Sequence, residues 1–449
     1  MKQVYETIIG IEIHVELNTK TKMFCICSAD YFGKEPNTHT CPVCLGLPGA
    51  LPFINAEAIK KCIQIGLALG CTINDQSYFE RKNYFYPDLA KGFQVSQLVK
   101  PLCINGTLTL DSGKIIRVNR AHQEEDTGKL THQGAETLID FNRSGVPLVE
   151  VVTEPDFSSS EEVREYAQKL QQIFKTLKVS NADMEKGDMR LEANVSVRPS
   201  GQKELPPYRV ELKNINSFRF MVAAIEYEVK RQTEALEKGE KLTQETRGWD
   251  EDKKMTYLQR SKEEAHDYRY FPEPDLPALS VESSEYRVEE IKKEMPELPT
   301  EKEKRFVEKY GLTTQQATIL AGSVKLAEYF EKAVGVGKDK KITATQIANF
   351  IINKNPSLRS GTFPSVESEG RKIDEMIQEI LNKTVGIVSD DIELEKLAKQ
   401  SIEENPKSAA DYKSGKENAI QALIGGVMRL SKGKADAAML TAILKDLLK

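Results

Sequence analysis

The sequence predicts an α+β protein in which a first region of strands and a few helices is followed by a helical region and a small helical tail. Residues 1–155 contain short apolar runs that alternate with polar residues and are interrupted by Gly, Pro and Asn, which is typical of strands and loops. Beyond residue 293 the apolar residues recur at the spacing of helices. A chain of 449 residues is too long for one core, so we expect two or three domains.

Two helices are predicted inside the first region. The segment SSSEEVREYAQKLQQIFKTL has capping-box spacing at Ser159 and Glu162, and its apolar residues from Val163 to Leu177 line one face. The segment NSFRFMVAAIEYEVKRQTEALEKG ends at Gly239, a residue type that commonly terminates helices. Strand-like sequence such as LEANVSVRP and YRVELKN surrounds both helices, so the region is α+β as far as about residue 293.

The rest of the chain is predicted to be helical. KKEMPELPTEKEKR is charged and contains two prolines, which indicates a linker or domain boundary. ITATQIANFIINKN, KIDEMIQEILNK and DDIELEKLAKQSIEEN are helix-length segments with spaced apolar residues, and a break at ENPKSAADYKSGK precedes a small bundle. We therefore predict three domains, at residues 1–293, 294–405 and 406–449.

The composition is that of an ordinary soluble protein. Hydrophobic residues make up 39% and charged residues 29% of the chain, and no apolar run is long enough to span a bilayer. The first residues include Glu6 and lack the apolar stretch of a signal peptide, so we expect a cytoplasmic protein with seven reduced cysteines. The net charge of −5 disfavours a surface covered by basic patches but permits a local one.

Positive charge is concentrated at the C-terminal end. Residues 407–449 carry eight Lys and Arg against four Asp and Glu, so this tail has a net charge of +4 and the remaining chain −9. A basic tail on an acidic body favours docking of a polyanion, and a small helical domain with solvated lysines is the alternative.

Four cysteines form two close pairs, Cys25 with Cys27 and Cys41 with Cys44, separated by a 13-residue loop. Two such pairs can converge as thiolates on one tetrahedral Zn²⁺, and CPVCLG has the small turn residues of a zinc knuckle. His39 is an alternative ligand. Four ligands would close the site, so we expect structural zinc. The other cysteines stand singly in apolar or turn contexts and are expected in the core: Cys62, Cys71 and Cys103.

The stretch GIEIHVEL, residues 10–17, alternates apolar and titratable residues. In a β-strand this pattern places Glu12, His14 and Glu16 on one face. Taken alone, such a face is typical of a strand with one solvated side. A functional site is indicated only if further carboxylates lie on neighbouring strands.

Further carboxylates do occur in strand-like segments. RAHQEEDTGK brings His122 and three adjacent acidic residues together, and such carboxylates repel one another unless a cation lies among them. The acidic candidates in this and other strand-like runs are Glu124, Glu125, Asp126, Glu150, Glu192 and Glu211. Mg²⁺ prefers oxygen ligands, and carboxylates of this kind would provide them.

Interleaved cations in the same segments could hold phosphates, namely Arg81, Lys82, Arg190, Arg209 and Lys213. The chain has no GxxxxGK[ST] motif and no kinase-like Gly-rich loop. If ATP binds here, we therefore expect it to bind through Mg²⁺ on an open platform of strands.

The chain closely resembles the B subunits of tRNA-dependent amidotransferases. Six segments carry the resemblance and occur in the expected order: IGIEIHVEL, RKNYFYPDLAKGFQVSQ, HQEEDTGK, DFNRSGVPLVEVVTEPD, ELKNINSF and DYRYFPEPDLP. The helical region and the tail also fit, so the resemblance covers essentially the whole chain. One departure is local: Leu191, Glu192, Ala193 and Asn194 stand where Cys-Asp-Ala-Asn is often expected, which keeps the carboxylate with one extra methylene.

The resemblance implies a fold and a reaction. The first domain should be a cradle resembling the catalytic sheet of glutamine synthetase, and the helical domain and tail should contact tRNA. ATP should phosphorylate the side-chain carboxylate of Glu-tRNA(Gln) or Asp-tRNA(Asn), and ammonia should then displace phosphate to give Gln-tRNA(Gln) or Asn-tRNA(Asn). The resemblance also implies that ammonia comes from an amidase, the A subunit of a heterotrimer that also contains a small C subunit. The absence of a visible glutaminase apparatus in this chain agrees with that division of labour.

Site residues follow from the same resemblance. Glu12, His14 and Glu125 are expected to ligate Mg²⁺, and the remaining carboxylates to complete the acidic site: Glu124, Glu150, Glu192 and Glu211. The candidates for phosphate contacts are Arg190, Lys213, Arg81 and Lys82. The segment YRYFPEPD, from Tyr268 to Asp275, is expected to be an extended strand at the cradle edge or a contact for the 3′ end of tRNA.

Two other functions remain open at this point. A zinc-stabilised tRNA-binding scaffold without chemistry of its own would share the cysteines and the tail but would not need the carboxylates. A free-standing amino-acid–ammonia ligase would need the carboxylates but neither the helical region nor the tail.

Overall fold

The computed structural model describes residues 3–261, 268–281, 286–354, 373–384, 391–414, 416–431, 435 and 437–448. These residues form two compact units, Met1–Glu301 and Lys302–Lys449. The division falls inside the charged, proline-containing stretch of residues 292–305, and the finer division into three domains stays a prediction. Part of the tail charge lies outside the described residues, on Lys432, Lys434, Asp436 and Lys449.

The first unit is built around one large sheet. Its nine strands run in the spatial order β14-β13-β12-β11-β1-β10-β7-β6-β2, and all neighbours are antiparallel except the parallel pair β12 and β13. The strands are β1 (Tyr5–Glu16), β2 (Thr72–Ile73), β6 (Cys103–Thr109), β7 (Ile115–Glu125), β10 (Pro147–Thr153), β11 (Met189–Pro199), β12 (Val210–Ile215), β13 (Glu245–Asp250) and β14 (Met255–Ser261).

Three helices cover one face of this sheet, namely α1 (Ala56–Ala68), α2 (Ser160–Thr176) and α3 (Phe218–Glu237). Ile11 and Ile13 of the central strand are buried in the same apolar cluster as Ile59 of α1, Tyr166 of α2 and Met221 of α3. Burial of this face leaves the opposite face of the same strands for polar side chains, because successive residues of a strand point in opposite directions.

Smaller sheets and one short helix complete the first unit. Strand β15 (Phe271–Pro272) pairs with β4 (Glu80–Asn83), which pairs with β5 (Phe93–Ser96). Strand β16 (Leu279–Ser280) pairs with β3 (Gln76–Ser77), and β8 (Lys129–Gln133) pairs with β9 (Glu136–Asp140). Helix α4 spans Val288–Glu294. The pairing of Phe271–Pro272 confirms that YRYFPEPD contributes an extended strand.

The second unit is helical in its described part. One apolar cluster joins α5 (Pro299–Tyr310), α6 (Thr314–Ala321), α7 (Val324–Asp339), α8 (Ala344–Lys354) and α9 (Ile373–Thr384). Another joins α10 (Asp391–Glu404), α11 (Pro406–Lys413), α12 (Ile420–Leu430) and α13 (Ala437–Leu447), with a short 3-10 helix at Glu417–Ala419. No helix in the described part of the chain has the length and apolar character needed to cross a membrane.

The predicted α+β region followed by helices is confirmed. The Ser159 hydroxyl accepts a hydrogen bond from the Glu162 backbone N–H at the start of α2, and Gly239 follows α3 with φ +77°. Helix α1 was not predicted, because the interval up to residue 155 was interpreted as strands and loops. The residue that could have indicated the start of this helix is Asn55, whose side chain accepts a hydrogen bond from the Ala58 backbone N–H and caps the helix.

Candidate active site on the polar face of the sheet

Strand β1 lies in the middle of the site because it pairs with β10 on one side and with β11 on the other. His14 is opposite Glu150 of β10 and Arg190 of β11, and Glu12 is opposite Glu192 of β11. Residues directly opposite each other in an antiparallel pair point to the same face. The register therefore collects charged side chains from three strands on the face that the helices leave uncovered.

The first group of candidate metal ligands consists of His14, Glu124 and Glu150. One ligand atom from each lies within 4.8 Å of the other two. The Nε2 atom of His14 is 3.9 Å from an oxygen of Glu124 and 3.9 Å from an oxygen of Glu150. Both carboxylates are buried, whereas the His14 side chain is 17% exposed. The group thus has an open side toward which a cation or substrate can approach.

Buried polar residues hold this group in place. Ser96 donates to one oxygen of Glu124 at 2.6 Å, and the Gln94 side chain donates to the other at 3.1 Å. The Nε2 atom of His122 lies 3.5 Å from Glu124 and 3.1 Å from Glu150. Such hydrogen bonds orient carboxylate ligands. The sequence motif contained His122, but nothing in the sequence revealed that it lies beneath both carboxylates.

Charge pairing controls the protonation of this group. Burial opposes ionisation of Glu150, but the neighbouring His122 and His14 outweigh it and hold the Glu150 pKa well below 4.5. Burial likewise opposes ionisation of Glu124, and Lys82 outweighs it, so its pKa is lowered. Burial also opposes protonation of His122, yet Glu150 and Glu124 raise its pKa above 6.5. The carboxylates are therefore ionised at neutral pH, as metal ligands must be.

The second group consists of Glu12, Glu192 and Glu211, whose ligand atoms again lie within 4.8 Å of one another. Lys213 lies between two of them, with its Nζ 2.8 Å from Glu192 and 3.2 Å from Glu211. The Asn194 side chain donates to Glu12 at 3.0 Å. A single lysine thus offsets part of the repulsion among three carboxylates.

The remaining repulsion among the carboxylates of this second group affects the pKa of Glu12. Burial, together with the charges of Glu150 and Glu192, raises the pKa of Glu12 above 4.5. Burial opposes ionisation of Glu192, but Lys213 outweighs it and lowers the Glu192 pKa. A divalent cation bound by this group would offset the same repulsion and favour the ionised form of Glu12.

Lys82 and Arg81 are neighbours in β4 and point to opposite sides. The carboxylates of Glu124 and Glu150 raise the pKa of Lys82 although burial opposes its charge, so this ammonium faces the first group. Arg81 makes a bidentate pair with Glu273, at 2.6 and 2.7 Å. Adjacent residues of a strand point to opposite sides. Of these two predicted phosphate contacts, Lys82 therefore faces the site, whereas Arg81 points to the other side and pairs with Glu273.

Glu125 belongs to neither group of candidate ligands in the described part of the chain. Its carboxylate pairs with Lys91 and accepts a hydrogen bond from the Val95 N–H at 3.0 Å. Because Glu124 and Glu125 are adjacent in β7, their side chains diverge. The expected grouping of Glu12, His14 and Glu125 around one ion is therefore divided: Glu12 and His14 belong to different ligand groups on the polar face, and Glu125 points away from that face.

Arg190 lies opposite His14 but is engaged by another carboxylate. It pairs with Asp126, and Arg143 approaches the same carboxylate to 3.6 Å. Burial opposes the ionisation of Asp126, but the two arginines hold its pKa well below 3.8. Glu16 completes this cluster, and burial and the Asp126 charge raise its pKa well above 4.5. Arg190 thus connects the edge of the site to a buried charge cluster.

The four predicted cysteines converge at one place: Cys25, Cys27, Cys41 and Cys44. Their sulfurs lie within 4.8 Å of one another, and a tetrahedral Zn²⁺ with bonds of about 2.3 Å needs sulfurs about 3.8 Å apart. His39 is absent from this group in the described chain; its Nδ1 lies 3.0 Å from the Thr38 hydroxyl. The donor set fits a closed, thiolate-bound metal ion.

A buried lysine adjoins the cysteines. Lys22 is 0% exposed, and its Nζ lies 2.7 Å from the His39 carbonyl and 3.7 Å from Cys44 Sγ. The hydrogen bond with Cys25 and the charge of Lys22 lower the pKa of the Cys44 thiol to about 5, whereas burial raises that of Cys27 to about 11. These shifts favour the thiolate at Cys44 over that at Cys27. The single cysteines are buried, as predicted: Cys62, Cys71 and Cys103.

The fold and the site together define an α+β protein with two carboxylate-rich ligand groups on an open sheet face and a cluster of four cysteines, followed by a helical unit. The family described as "GatB/GatE catalytic domain" matches residues 7–287, and the family described as "GatB domain" matches residues 360–448. The first match ends beyond the last strand of the sheet and covers both ligand groups.

Comparison with whole proteins identifies the family. The chain is 44% identical over 477 residues to the aspartyl/glutamyl-tRNA(Asn/Gln) amidotransferase B subunit of Caldicellulosiruptor saccharolyticus, with 98% of each chain covered. It is 44% identical over 485 residues to the protein of the same name from Thermotoga maritima, with 99% of each covered. The chain belongs to this family of amidotransferase B subunits, which confirms the resemblance seen in its motifs.

Proposed function

We propose that this chain is the ATP-dependent component of a heterotrimeric, glutamine-dependent tRNA amidotransferase that acts on Glu-tRNA(Gln) or Asp-tRNA(Asn). The observation that carries the proposal is the pair of ligand groups on one sheet face, His14 with Glu124 and Glu150, and Glu12 with Glu192 and Glu211. A scaffold that only bound tRNA would not need two groups of three ionisable side chains, each with its members at ligand distance from one another.

The proposed reaction begins with the side-chain carboxylate of the misacylated tRNA. A carboxylate oxygen attacks the γ-phosphorus of ATP, the bond to the bridging oxygen breaks, and ADP leaves with that electron pair. The product is an acyl phosphate. Ammonia then attacks the acyl carbon, phosphate leaves with the carboxylate oxygen, and the amide loses a proton to solvent or base. Phosphorylation is needed because a free carboxylate has no adequate leaving group.

Mg²⁺ held by the two ligand groups would offset negative charge while the triphosphate and the carboxylate meet. Lys82, which faces Glu124, and Lys213, which pairs with Glu192, would add fixed positive charge on either side of the ligand groups. Positioned cations of this kind stabilise charge on a transferring phosphoryl group. Arg81 and Arg190 are proposed to position neighbouring segments, since their guanidinium groups are paired with Glu273 and Asp126.

The cysteine cluster is proposed to bind one structural Zn²⁺. Its support is the convergence of four sulfurs and the buried Lys22 beside Cys44, which offsets thiolate charge. Four protein ligands leave no open coordination position for a substrate, so the ion would act in folding and not in chemistry.

The partners proposed are an amidase A subunit that supplies ammonia, a small C subunit, and the misacylated tRNA, all in the cytoplasm. The helical domain and basic tail, proposed at residues 294–405 and 406–449, would contact tRNA. The names of the relatives, which specify an amidotransferase acting on tRNA(Asn/Gln), support this assignment.

ATP cleavage and amide formation in the assembled enzyme test the proposal. Wild-type enzyme should cleave ATP in response to Glu-tRNA(Gln) or Asp-tRNA(Asn) and form the amide when the amidase supplies ammonia. His14→Ala should lower both rates by more than about 100-fold while the glutaminase activity of the amidase persists. Unchanged ATP cleavage by His14→Ala would instead favour a tRNA-binding scaffold.

Glu125 needs its own test, because it lies outside both ligand groups and pairs with Lys91. We expect Glu125→Ala also to abolish tRNA-dependent ATP cleavage. Normal formation of acyl phosphate by this variant would remove Glu125 from the active site.

A further inference from the structure

Strands β15 and β4 present their side chains to two different sides of the pair that they form. Phe271 is opposite Arg81, and the guanidinium carbon of Arg81 lies 5.6 Å from the centre of the Phe271 ring. Glu273, two residues further along the chain, pairs with the same arginine. These three residues therefore share one side. Their immediate neighbours point to the other side, because side chains alternate along a strand.

The other side of the pair carries Lys82 and two tyrosines. The register of Phe271, continued by one residue, places Tyr270 level with Lys82. Tyr268 lies two residues before Tyr270, and the centres of their rings are 6.1 Å apart. The Nζ atom of Lys82 is 5.2 Å from the centre of the Tyr268 ring. Because Lys82 faces the first ligand group, the surface formed by these three side chains borders that group.

The charges of the first ligand group reach Tyr270. Burial raises the pKa of the Tyr270 hydroxyl to about 12. Lys82 acts in the opposite direction, and Glu124 and Glu150 add to the rise. Tyr270 thus lies within electrostatic range of the cation and of both carboxylates. Its hydroxyl keeps its proton at neutral pH and can donate a hydrogen bond.

The hydroxyl of Tyr270 is free to bind a ligand. It makes no hydrogen bond within the part of the chain that the structure describes, and the residue is partly exposed. Tyr84 differs, because its hydroxyl donates to the side-chain oxygen of Gln94 at 3.1 Å, and Gln94 in turn donates to Glu124. Tyr84 therefore supports a candidate ligand, whereas Tyr270 offers an unused donor beside the same group.

The segment that carries Tyr270 is held firmly in place. Glu273 is 4% exposed, and its backbone N–H donates to the Phe79 carbonyl at 2.8 Å. Its carboxylate makes the bidentate pair with Arg81, whose guanidinium carbon lies 4.4 Å from the centre of the Phe93 ring. A donor on a rigid segment needs little reorganisation during a reaction, which is what makes such donors effective in catalysis.

We propose that Tyr270 is a further catalytic residue, whose hydroxyl donates a hydrogen bond to the substrate carboxyl oxygen that does not attack ATP. The inference deepens the proposed function, on which it rests. When ammonia attacks the acyl phosphate, the new C–N bond forms and the π electrons of the carbonyl move onto this oxygen. They return to carbon when the bond to phosphate breaks and the nitrogen loses a proton. The hydrogen bond is strongest while the oxygen is negatively charged, so it favours this step.

A neutral donor suits this oxygen better than a cation does. A full positive charge on the substrate carboxylate would weaken it as a nucleophile toward ATP, and a phenol hydroxyl weakens it less. The ammonium of Lys82 suits the transferring phosphoryl group instead, because the oxygens of that group are negatively charged. Lys82 and Tyr270 would therefore act on two different parts of the acyl phosphate.

The test removes the hydroxyl and keeps the ring. Single turnovers of the assembled enzyme use Glu-tRNA(Gln), ATP and ammonium chloride. Tyr270→Phe should lower the rate constant for conversion of acyl phosphate to amide by about 100-fold, as loss of one oxyanion donor does. ADP formation should slow by less than about tenfold, and the aminoacyl-tRNA concentration for half-maximal ADP formation should change by less than about twofold. Tyr257→Phe, an exposed tyrosine of β14, is the matched control and should change none of these values.

The outcomes distinguish this role from others. A merely structural effect that displaced Lys82 would slow both steps equally, so equal losses would overturn the assignment, as would wild-type rates of both steps. A defect seen with glutamine but absent with ammonium chloride would assign Tyr270 to ammonia delivery. A weaker half-maximal concentration of aminoacyl-tRNA with an unchanged amide step would assign it to the tRNA end. Either result overturns the proposal. If wild type forms no ADP in response to aminoacyl-tRNA, the proposed function itself fails.

A second variant restores a donor at the same position. Replacement of Tyr270 by 4-aminophenylalanine keeps the ring and exchanges the hydroxyl for a neutral amino group that still donates. Its amide step should be at least about fivefold faster than that of Tyr270→Phe, with equal melting temperatures showing that both variants fold. An amide step no faster than that of Tyr270→Phe would overturn the role of a hydrogen-bond donor.

Discussion

The imidazole Nε2 of His122 lies 3.1 Å from a carboxylate oxygen of Glu150, directly across the pairing of β7 with β10. Both side chains are buried. Glu150 therefore contacts two histidines. His122 holds its carboxylate in place, and His14 belongs to the same candidate ligand group. The orientation of Glu150 is therefore fixed before any cation binds.

His122→Gln should weaken metal binding without removing a proposed ligand. Loss of a group that orients a ligating carboxylate typically costs about 10–100-fold in metal affinity. We expect the Mg²⁺ concentration for half-maximal ATP cleavage to rise by that factor, and Mn²⁺ binding measured by electron paramagnetic resonance to weaken in parallel. His132→Gln, an exposed histidine of β8, is the control. Equal Mg²⁺ dependence in both variants would reject the orienting role.

The cysteine cluster should contain about one zinc per chain after purification under reducing conditions without chelator. Cys44→Ser removes the thiol whose pKa is lowered to about 5 by Cys25 and Lys22, so metal should be lost and the melting temperature should fall. Elemental analysis and thermal unfolding measure both effects. Cys71→Ser, which changes a buried cysteine outside the cluster, should keep its zinc. A wild-type protein without bound metal would refute the zinc site.

Glu16→Gln should change how stability depends on pH. Burial and the charge of Asp126 raise the folded pKa of Glu16 well above its ordinary value of 4.5. The wild type therefore has the full contribution of Glu16 below pH 4.5 and loses it progressively as pH rises toward the folded pKa. Glutamine imitates the protonated acid, so the variant should become more stable relative to wild type over that interval. Urea unfolding between pH 4.5 and 9 measures this difference.

A constant difference between the two proteins across that pH range would show that Glu16 is ionised in the folded state. Activity provides a separate control. Glu16 lies in neither candidate ligand group of the described chain, so its replacement should affect ATP cleavage much less than replacement of His14.

The basic tail should contribute a salt-dependent part of tRNA binding. Arg429 and Lys416 are already paired, with Glu404 and Asp411, whereas three lysines have no ion pair among the described residues: Lys407, Lys413 and Lys445. Changing these three to Gln should lower the slope of log K against log[salt] by up to about 2–3, since each phosphate contact contributes about 0.7–0.9.

Filter binding over a salt series gives this slope. A control variant with three exposed lysines of the first unit changed to Gln, at positions 238, 241 and 254, should keep the wild-type slope. If the tail variant also keeps it, the tail does not dock tRNA. Replacement of lysines is a cleaner change than deletion of residues 407–449, because Leu394 and Ala398 of α10 share an apolar cluster with the tail helices.

The sequence predicted the polar face because alternation along one strand is a local property. The face of Glu12 and His14 follows from period-two spacing, and the start of α2 follows from Ser159. The division of the carboxylates into two groups depends instead on pairing between distant strands. A register shift between Leu191 and Ala193 places Glu211 opposite Asn194, and no local pattern encodes that shift.

The sequence also does not show which of two adjacent candidate residues faces the site, because this too depends on how distant strands pack. Lys82 and Arg81 are equivalent phosphate candidates in the sequence, and the resemblance favours Glu125 over its neighbour Glu124 as a Mg²⁺ ligand. Which member of each pair turns toward His14 depends on the face that its strand presents, which only the packing of β4 and β7 determines.

ATP is proposed to phosphorylate the side-chain carboxylate at the ligand groups of His14 and Glu12. The most direct measurement uses Glu-tRNA(Gln) with ¹⁸O in both oxygens of the glutamate side chain, incubated with ATP, Mg²⁺ and the assembled enzyme. We expect each phosphate released with an amide to carry one ¹⁸O, and Glu150→Gln to release no labelled phosphate. Amide formation accompanied by phosphate without ¹⁸O would contradict this proposal, because the carboxylate oxygen would never have been bonded to phosphorus.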